Sequence, residues 1–349
     1  VRDGDRLLGL ADEAMASTSA EDEGRTRIQR AAELMRQLIS QDVERGEGQV
    51  SLKEGVARDR VISVHDPEMR HGRKSSSKRF DGHKVAIAVD ADSQLITAVE
   101  VLAGNAADNE GALELTEDSE KNTGMEVDET TGDCAYGDGK TRQAFADANR
   151  KLVAKVASRG RRDQIGKDAF RLDLDVMSCT CPEGQTTRTL IPRGHWQDRD
   201  GEKHQRHAFL FNVDICTVCR LRAECVKAKG HQGRTIQLHP QERLLQEARA
   251  LQDSPAFQEY RTLRQTAEHR LARLVQLGAR QARYFGRDKT LFQLLMAATV
   301  ANLTLVATKT GQMGRKNSPA HSFFPSISAL VEPIRAFFHI SSSLSRQSA

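Results

Sequence analysis

The sequence lacks any apolar run of the roughly 18 residues that a membrane-spanning helix needs. Its first residues, Val1-Arg2-Asp3-Gly4-Asp5, contain neither an initiator methionine nor the apolar core of a signal peptide. We therefore expect no membrane partner. Because nothing indicates secretion, we also expect the six cysteines to be free of disulfides.

Charge is modest in total but concentrated in two places. The formal net charge is +4, which does not by itself point to nucleic acid. Basic residues cluster between Arg70 and Arg79 and between Arg261 and Arg287, and the second segment contains arginines but no lysine. Local basic patches suit a polyanion, although a solvated charged face is the simpler alternative.

The hydrophobic pattern predicts an α/β fold in the first half of the chain. Alternating small apolar and β-branched residues indicate strands, and apolar residues at helical spacing indicate helices. The predicted order is strand 83–90, strand 94–102, helix 108–120 capped by Asp108 or Asn109, strand 126–131, helix 140–149 capped by Asp138, and strand 151–156. These elements predict one sheet of mixed direction with flanking helices.

The remaining segments complete the predicted organisation. Length alone allows one large domain or two to three smaller ones. We expect a helical arm or insertion remnant at 1–60 with a helix over 25–45, a first part of the α/β domain at 61–158, a cysteine-rich insertion at 159–238, a helical second part at 239–307 with a buried core helix over 291–306, and a loose tail at 308–349.

Five of the six cysteines lie in the insertion, at Cys179, Cys181, Cys216, Cys219 and Cys225. A Cys-x-x-Cys pair combined with a second close pair is the ligand pattern of a structural zinc ribbon, so bound Zn²⁺ is one interpretation. Free cysteines in a reducing cytosol, or the remnant of a lost metal site, are the alternatives.

Two acids have settings that suit divalent-metal chemistry. Asp133 follows a predicted strand and precedes a glycine-containing turn, and Glu268 lies on an arginine-rich helix. Carboxylates from distant points of a chain can together hold Mg²⁺ for phosphoryl transfer. The alternatives are a turn or capping role for Asp133 and a salt-bridged surface position for Glu268.

Four motifs in order resemble bacterial insertion-sequence transposases of the DDE type, in the branch with a cysteine-bearing insertion before the last acid. They are the segment Arg60–Arg70, the hairpin ending in Ala88-Val89-Asp90, the turn Asp133-Cys134-Ala135-Tyr136-Gly137, and the helix around Glu268 followed by Gly278–Asn302. The resemblance covers about residues 60–307.

This resemblance implies a ribonuclease-H-like fold in which three acids hold two Mg²⁺ or Mn²⁺ ions. It implies double-stranded DNA as the partner, hydrolysis and strand transfer at insertion-sequence ends, a homodimer as the active form, and a nucleoid-associated location in the bacterial cytoplasm. A non-catalytic, zinc-stabilised DNA-binding protein and a nuclease of related fold are the competing interpretations.

Residue by residue, the resemblance maps the second acid to Asp133 and the third to Glu268. Tyr260 and Arg264 approximate the tyrosine and arginine that precede the glutamate, although Tyr260 is one place early. Arg270 and Arg273 are the further DNA contacts that it implies. The lysine often found two turns after the glutamate is replaced by Val275.

The first acid of the family has no clear counterpart. Residues 1–60 contain no apolar strand that ends in Asp followed by Ser or Thr, so we expect the chain to be N-terminally truncated or decayed. Asp66 and Asp90 are the possible substitutes, although turn roles suit both better. A shared site further predicts that the Asp133 and Glu268 carboxylates lie within about 4–8 Å of each other.

Overall fold

The computed structural model describes residues 1–19, 22–46, 50–55, 57, 59–75, 77–157, 163–197, 201–227 and 231–316. The chain divides into two units, Val1–Asn302 and Leu303–Ala349. All elements below lie in the first unit, except for the C-terminal part of the last helix.

The N-terminal arm is a helical hairpin followed by a short β-hairpin. Its elements are α1 (Arg2–Ser17), α2 (Glu23–Asp42), β1 (Val43–Arg45) and β2 (Val50–Leu52). Asp22 caps α2 by accepting a hydrogen bond from the Gly24 amide at 2.6 Å. The predicted helix over 25–45 is therefore present, but it ends at Asp42 because the next residues pair as antiparallel strands.

The predicted hairpin at 83–102 is confirmed. The strands β3 (Arg70–Arg73), β4 (Arg79–Val89) and β5 (Ile96–Ala103) pair antiparallel, with His83 opposite Ala103 and Val89 opposite Ile96. Asp90 lies in the connecting turn and accepts a hydrogen bond from the Ser93 amide at 2.8 Å. Asp90 therefore has the turn role rather than the role of a substitute acid.

A βαβ unit follows, built from α3 (Ala112–Thr123), β6 (Glu129–Gly132), α4 (Gly139–Asp147) and β7 (Lys151–Ala154). The strands β6 and β7 are parallel. Asp138 caps α4 as predicted, because its carboxylate accepts hydrogen bonds from the Lys140 and Thr141 amides.

The predicted cap of α3 is wrong. The helix begins at Ala112, after Gly111 in the left-handed region (φ 72°), and not at Asp108 or Asn109. Asp108 instead pairs with Lys84 at 2.7 Å, and the Asn109 amide donates to Asp138. Both candidate caps are thus engaged in tertiary contacts.

The α/β class is confirmed, but the strands do not form one sheet. Among the described residues, the β4–β5 pair and the β6–β7 pair belong to separate sheets. Helix α3 bridges them on one side, since Ser119 donates to Thr97 of β5 at 2.7 Å and Thr116 lies 3.3 Å from the Thr130 hydroxyl of β6. The helices that follow pack on the other face.

The cysteine-rich segment forms two small antiparallel sheets and two short helices. The sheets are β8 (Arg171–Asp173), β9 (Ser178–Thr180) and β10 (Thr186–Thr187), and β11 (Leu190–Gln197), β12 (Lys203–Leu210) and β13 (Thr235–Gln237); the helices are α5 (Val213–Val218) and α6 (Arg222–Cys225). Phe170, Phe209, Phe211 and Ile236 pack with Cys179 and Cys225 as its core.

The C-terminal part is helical, as expected. Its helices are α7 (Glu242–Gln252), α8 (Phe257–Leu274) and α9 (Arg287–Lys316), and a π turn at Val275–Ala279 ends α8 where Gly278 has φ 93°. Because α9 continues to Lys316, the tail expected from residue 308 does not begin there. Residues 317–349 lie outside the described part of the chain.

Helix α9 is buried on one side only, which corrects the expectation of a buried core helix over 291–306. Leu294 and Ala301 are buried, whereas Phe292 and Met296 on the same helix are 56% and 43% exposed. Arg287–Gly311 is long and apolar enough to cross a membrane, with 22% of it buried. Since helices of protein cores meet the same criterion, this composition is weak evidence for a membrane.

Candidate functional site

Asp133 lies directly after β6, as the sequence predicts. Its carboxylate accepts a hydrogen bond from the Ala135 amide at 2.7 Å, which closes the turn that leads to α4. Gly137 in this turn packs so closely on the chain that a Cβ there would lie 2.0 Å from the Lys155 carbonyl oxygen. The turn is therefore fixed to the end of β7, and Asp133 is held at the carboxyl end of the parallel pair.

Tyr136 lies close to Asp133 and to two further acidic side chains. Burial, together with the negative charges of Asp133, Asp108 and Glu100, raises the pKa of the Tyr136 phenol to about 12. Burial also raises the pKa of Glu100, and three neighbouring carboxylates add to this effect. The end of the α/β layer that carries Asp133 is thus acidic.

Glu268 lies on α8 and is an exposed residue there. Its carboxylate is 3.3 Å from Arg264 Nε, one helical turn earlier, and the two side chains are 61% and 42% exposed. The contact lacks hydrogen-bond geometry, because Arg264 Nε has no hydrogen-bond partner. An exposed pair of this kind contributes little to stability.

The contacts described for Asp133 and Glu268 do not include each other, since Asp133 accepts from the Ala135 amide and Glu268 lies beside Arg264. Tyr260 at the start of α8 donates to Glu129 at 3.2 Å, which is where β6 begins. Further along α8, Arg270 contacts Asn302, whose amide group exchanges hydrogen bonds with the Ile96 backbone where β5 begins. Helix α8 is therefore held near the starts of β6 and β5.

The predicted DNA contacts have different surroundings. Arg273 is half-buried and donates to Gln276 in the π turn that follows α8, at 3.1 Å. Arg270 is 8% exposed, and burial lowers its pKa. Its guanidinium holds α8 to α9 through Asn302, so the expectation that Arg270 faces DNA does not agree with its burial.

Asp66, the other substitute for a first acid, is buried and fully engaged. Its Oδ2 accepts hydrogen bonds from the Gly286 amide at 3.1 Å and from His83 Nε2 at 3.2 Å, and its Oδ1 accepts one from the Glu68 amide. The side chains of Asp66 and His83 are only 2% and 3% exposed. Asp66 therefore fastens the start of α9 to the β-hairpin.

The cysteines of the insertion contribute to its apolar core. Cys179 and Cys225 are buried, and Cys181 and Cys216 pack against them. Burial raises the pKa of the Cys179 thiol to about 11 and also raises that of Cys225. Cys219 is half-buried, and no disulfide is present among the described cysteines.

A cleft near Asp133 is a feature that the sequence does not reveal. It has a volume of about 1040 Å³ and lies between the turn before α4 and the cysteine-rich segment. We call it the basic cleft, because its lining includes Lys140, Lys167, Arg206, Arg234 and Arg249. Cys134, which is adjacent to Asp133, lies at its edge and is exposed.

Among the residues that the structure describes, no group of three or more His, Cys, Asp or Glu side chains is arranged to hold a metal ion. The carboxylates present therefore do not fit a two-metal site as they stand.

One segment of the chain is similar to a known protein family. Residues 180–307 match the family model for the transposase DDE domain. This match covers less than half of the chain and includes Glu268 and four of the five insertion cysteines, but not Asp133. Through this segment the chain is similar to the DDE transposases. Comparison with curated proteins and with solved structures found no significant match.

Proposed function

We propose that this protein is a DNA transposase that hydrolyses phosphodiester bonds at the ends of an insertion sequence and transfers the resulting strand ends. The observation that carries the proposal is the transposase DDE match over residues 180–307. The acidic end of the α/β layer around Asp133 and the basic cleft beside it are consistent with handling of a nucleic acid. A soluble protein of the bacterial cytoplasm, working as a homodimer on double-stranded DNA, is part of the proposal.

Asp133 and Glu268 are the proposed acidic residues of the site. The family's divalent ions would neutralise charge on the attacking and leaving oxygens of the phosphodiester. Because the described side chains do not fit such a site, we assign no reaction step to a bound ion. The role that the chain itself supports is binding and orientation of DNA by its cationic surfaces.

The test is nicking of supercoiled plasmid by the full chain in Mg²⁺ or Mn²⁺. Asp133→Asn and Glu268→Gln preserve side-chain size and remove the charge, and Asp92→Asn is the matched control because Asp92 is exposed on the hairpin turn. We expect nicking by the wild type and the control, and a loss of at least a hundredfold in both site variants. Equal nicking by all four proteins would refute the assignment of these acids.

A second candidate function takes account of the partners that Asp133 and Glu268 have in the described residues, which do not include each other. A non-catalytic DNA-binding protein, stabilised by zinc at Cys179, Cys181, Cys216, Cys219 and Cys225, needs no acidic site. Wild type that binds DNA without nicking it would support this alternative. Zinc measured in the purified protein would approach one equivalent in that case, and absence of zinc with unchanged folding would remove its zinc component.

A further inference from the structure

The basic cleft joins two parts of the chain that are far apart in sequence. One wall comes from the turn before α4 and the first turn of that helix, with Cys134 and Lys140, and includes Asn109, which donates to Asp138. The opposite wall comes from the cysteine-rich segment and α7 and includes Lys167, Arg206 and Arg249. Its volume of about 1040 Å³ is at the upper end of the ~300–1,000 Å³ typical of small-molecule sites. A segment of a polymer therefore suits it better than one small ligand.

Several of the lining cations already have partners. Lys167 is buried against Glu242, and Arg249 contacts Asp168 at 3.2 Å as well as Glu242 at 3.3 Å. Arg234 donates to the backbone carbonyls of Cys225 and Ile165. These residues build the walls: carboxylates compensate the charges of Lys167 and Arg249, and carbonyl oxygens hold the guanidinium of Arg234.

Three lining cations make no ion pair among the described residues: Arg234, which is hydrogen-bonded to backbone carbonyls, and Lys140 and Arg206. Lys140 in the first turn of α4 and Arg206 on β12 are both exposed, and neither has an acidic partner there. The acids of the lining are engaged elsewhere, because Asp138 caps α4 and Asp168 contacts Arg249. The uncompensated charge in the cleft is therefore positive and comes from opposite walls.

We propose that the basic cleft binds the phosphodiester backbone of a DNA strand, with Lys140 and Arg206 contacting phosphates from opposite walls. The inference rests on the proposed transposase function and names a surface that would carry the substrate. Because Cys134 at the cleft edge follows Asp133 directly, a strand in the cleft passes the acidic end of the α/β layer. Backbone contacts of this kind set position and affinity rather than sequence preference.

The first test measures DNA affinity of the full chain as a function of salt. The double variant Lys140→Gln/Arg206→Gln is compared with Arg27→Gln/Arg30→Gln, which removes two exposed arginines of α2 in the arm. Fluorescence anisotropy with a labelled 40-base-pair duplex gives the dissociation constant at each salt concentration. Loss of two phosphate contacts lowers the slope of log K against log salt by about 1.4–1.8. We expect this change, and at least tenfold weaker binding, in the cleft variant alone.

The second test uses Cys134 as a reporter. Alkylation of this exposed thiol by a maleimide, measured by peptide mass spectrometry, should slow at least fivefold when the duplex is bound. The cleft variant at the same DNA concentration should lose this protection, and the α2 variant should keep it. Each protein's thermal unfolding confirms that it is folded.

The outcomes separate the cleft from the transposase assignment. If wild type and cleft variant share affinity, salt slope and Cys134 reactivity, the cleft inference is overturned and the transposase proposal is untouched. If wild type does not bind the duplex at low salt, both fail. If a heparin fragment or an acidic peptide protects Cys134 as well as DNA does at equal charge, the assignment to DNA is overturned.

Discussion

Replacement of Asp66 is the sharpest test of how α9 is attached to the α/β layer. The Asp66→Ala variant removes a 2%-exposed carboxylate that accepts hydrogen bonds from Gly286, His83 and Glu68. Removing the acceptor leaves these buried donors without a partner, at a cost of about 1–3 kcal/mol each. We therefore expect the free energy of unfolding, measured by urea titration with far-UV circular dichroism, to fall by about 3 kcal/mol or more. Asp92→Ala, on the exposed turn, should change it by less than about 0.5 kcal/mol.

The pH dependence gives an independent check on the same residue. Burial raises the pKa of Asp66, but hydrogen bonds from the Gly286 amide and His83, together with the charge of His83, outweigh it and lower the pKa overall. A lowered folded-state pKa means that the contribution of Asp66 is present above the ordinary carboxyl pKa and is lost as pH falls through the folded value. The difference between wild type and Asp66→Ala should therefore shrink below about pH 4. A variant within 1 kcal/mol of wild type at pH 7 would refute the reasoning.

The remaining predictions concern packing and the turn beside Asp133, all measured by urea unfolding. Gly137→Ala should lower the free energy of unfolding by about 1–3 kcal/mol, because the new Cβ would meet the Lys155 backbone. Gly166→Ala is the control, because a Cβ there meets open space, and it should not lower the stability. Equal effects of the two substitutions would contradict the close approach at Gly137. Leu274→Ala, at a fully buried position, should cost about 2–5 kcal/mol, and a loss below 1 kcal/mol would contradict that burial. Asp138→Ala should cost about 1–2 kcal/mol through loss of the α4 cap, and an unchanged stability would refute the capping role.

Local features of the fold could be predicted from the sequence. Strand alternation gave the hairpin 83–102, and Asp138 was recognised as the α4 cap, because both depend on neighbouring residues. The start of α3 could not be predicted, since Asp108 and Asn109 are drawn into contacts with Lys84 and Asp138. Such contacts join residues far apart in the chain, and no local pattern encodes them.

In the candidate site, too, local sequence patterns predict some positions, and others depend on contacts between residues far apart in the chain. The position of Asp133 after a strand follows from local pattern, but the placement of Glu268 depends on where α8 crosses the layer. Tyr260 bonded to Glu129 and Arg270 bonded to Asn302 fix that crossing over separations of 131 and 32 residues. The basic cleft depends in the same way on residues from walls far apart in sequence, so only the structure reveals it.

Strand joining is the measurement that tests the central claim most directly, because a nuclease or a DNA-binding protein does not perform it. A labelled DNA duplex carrying the insertion-sequence end and a free 3′-hydroxyl is incubated with the full chain, target plasmid and Mn²⁺. Covalently labelled plasmid, abolished by Glu268→Gln, is the predicted result. Plasmid that is bound or nicked but never joined to the label, under conditions where the protein is folded, would contradict the transposase assignment.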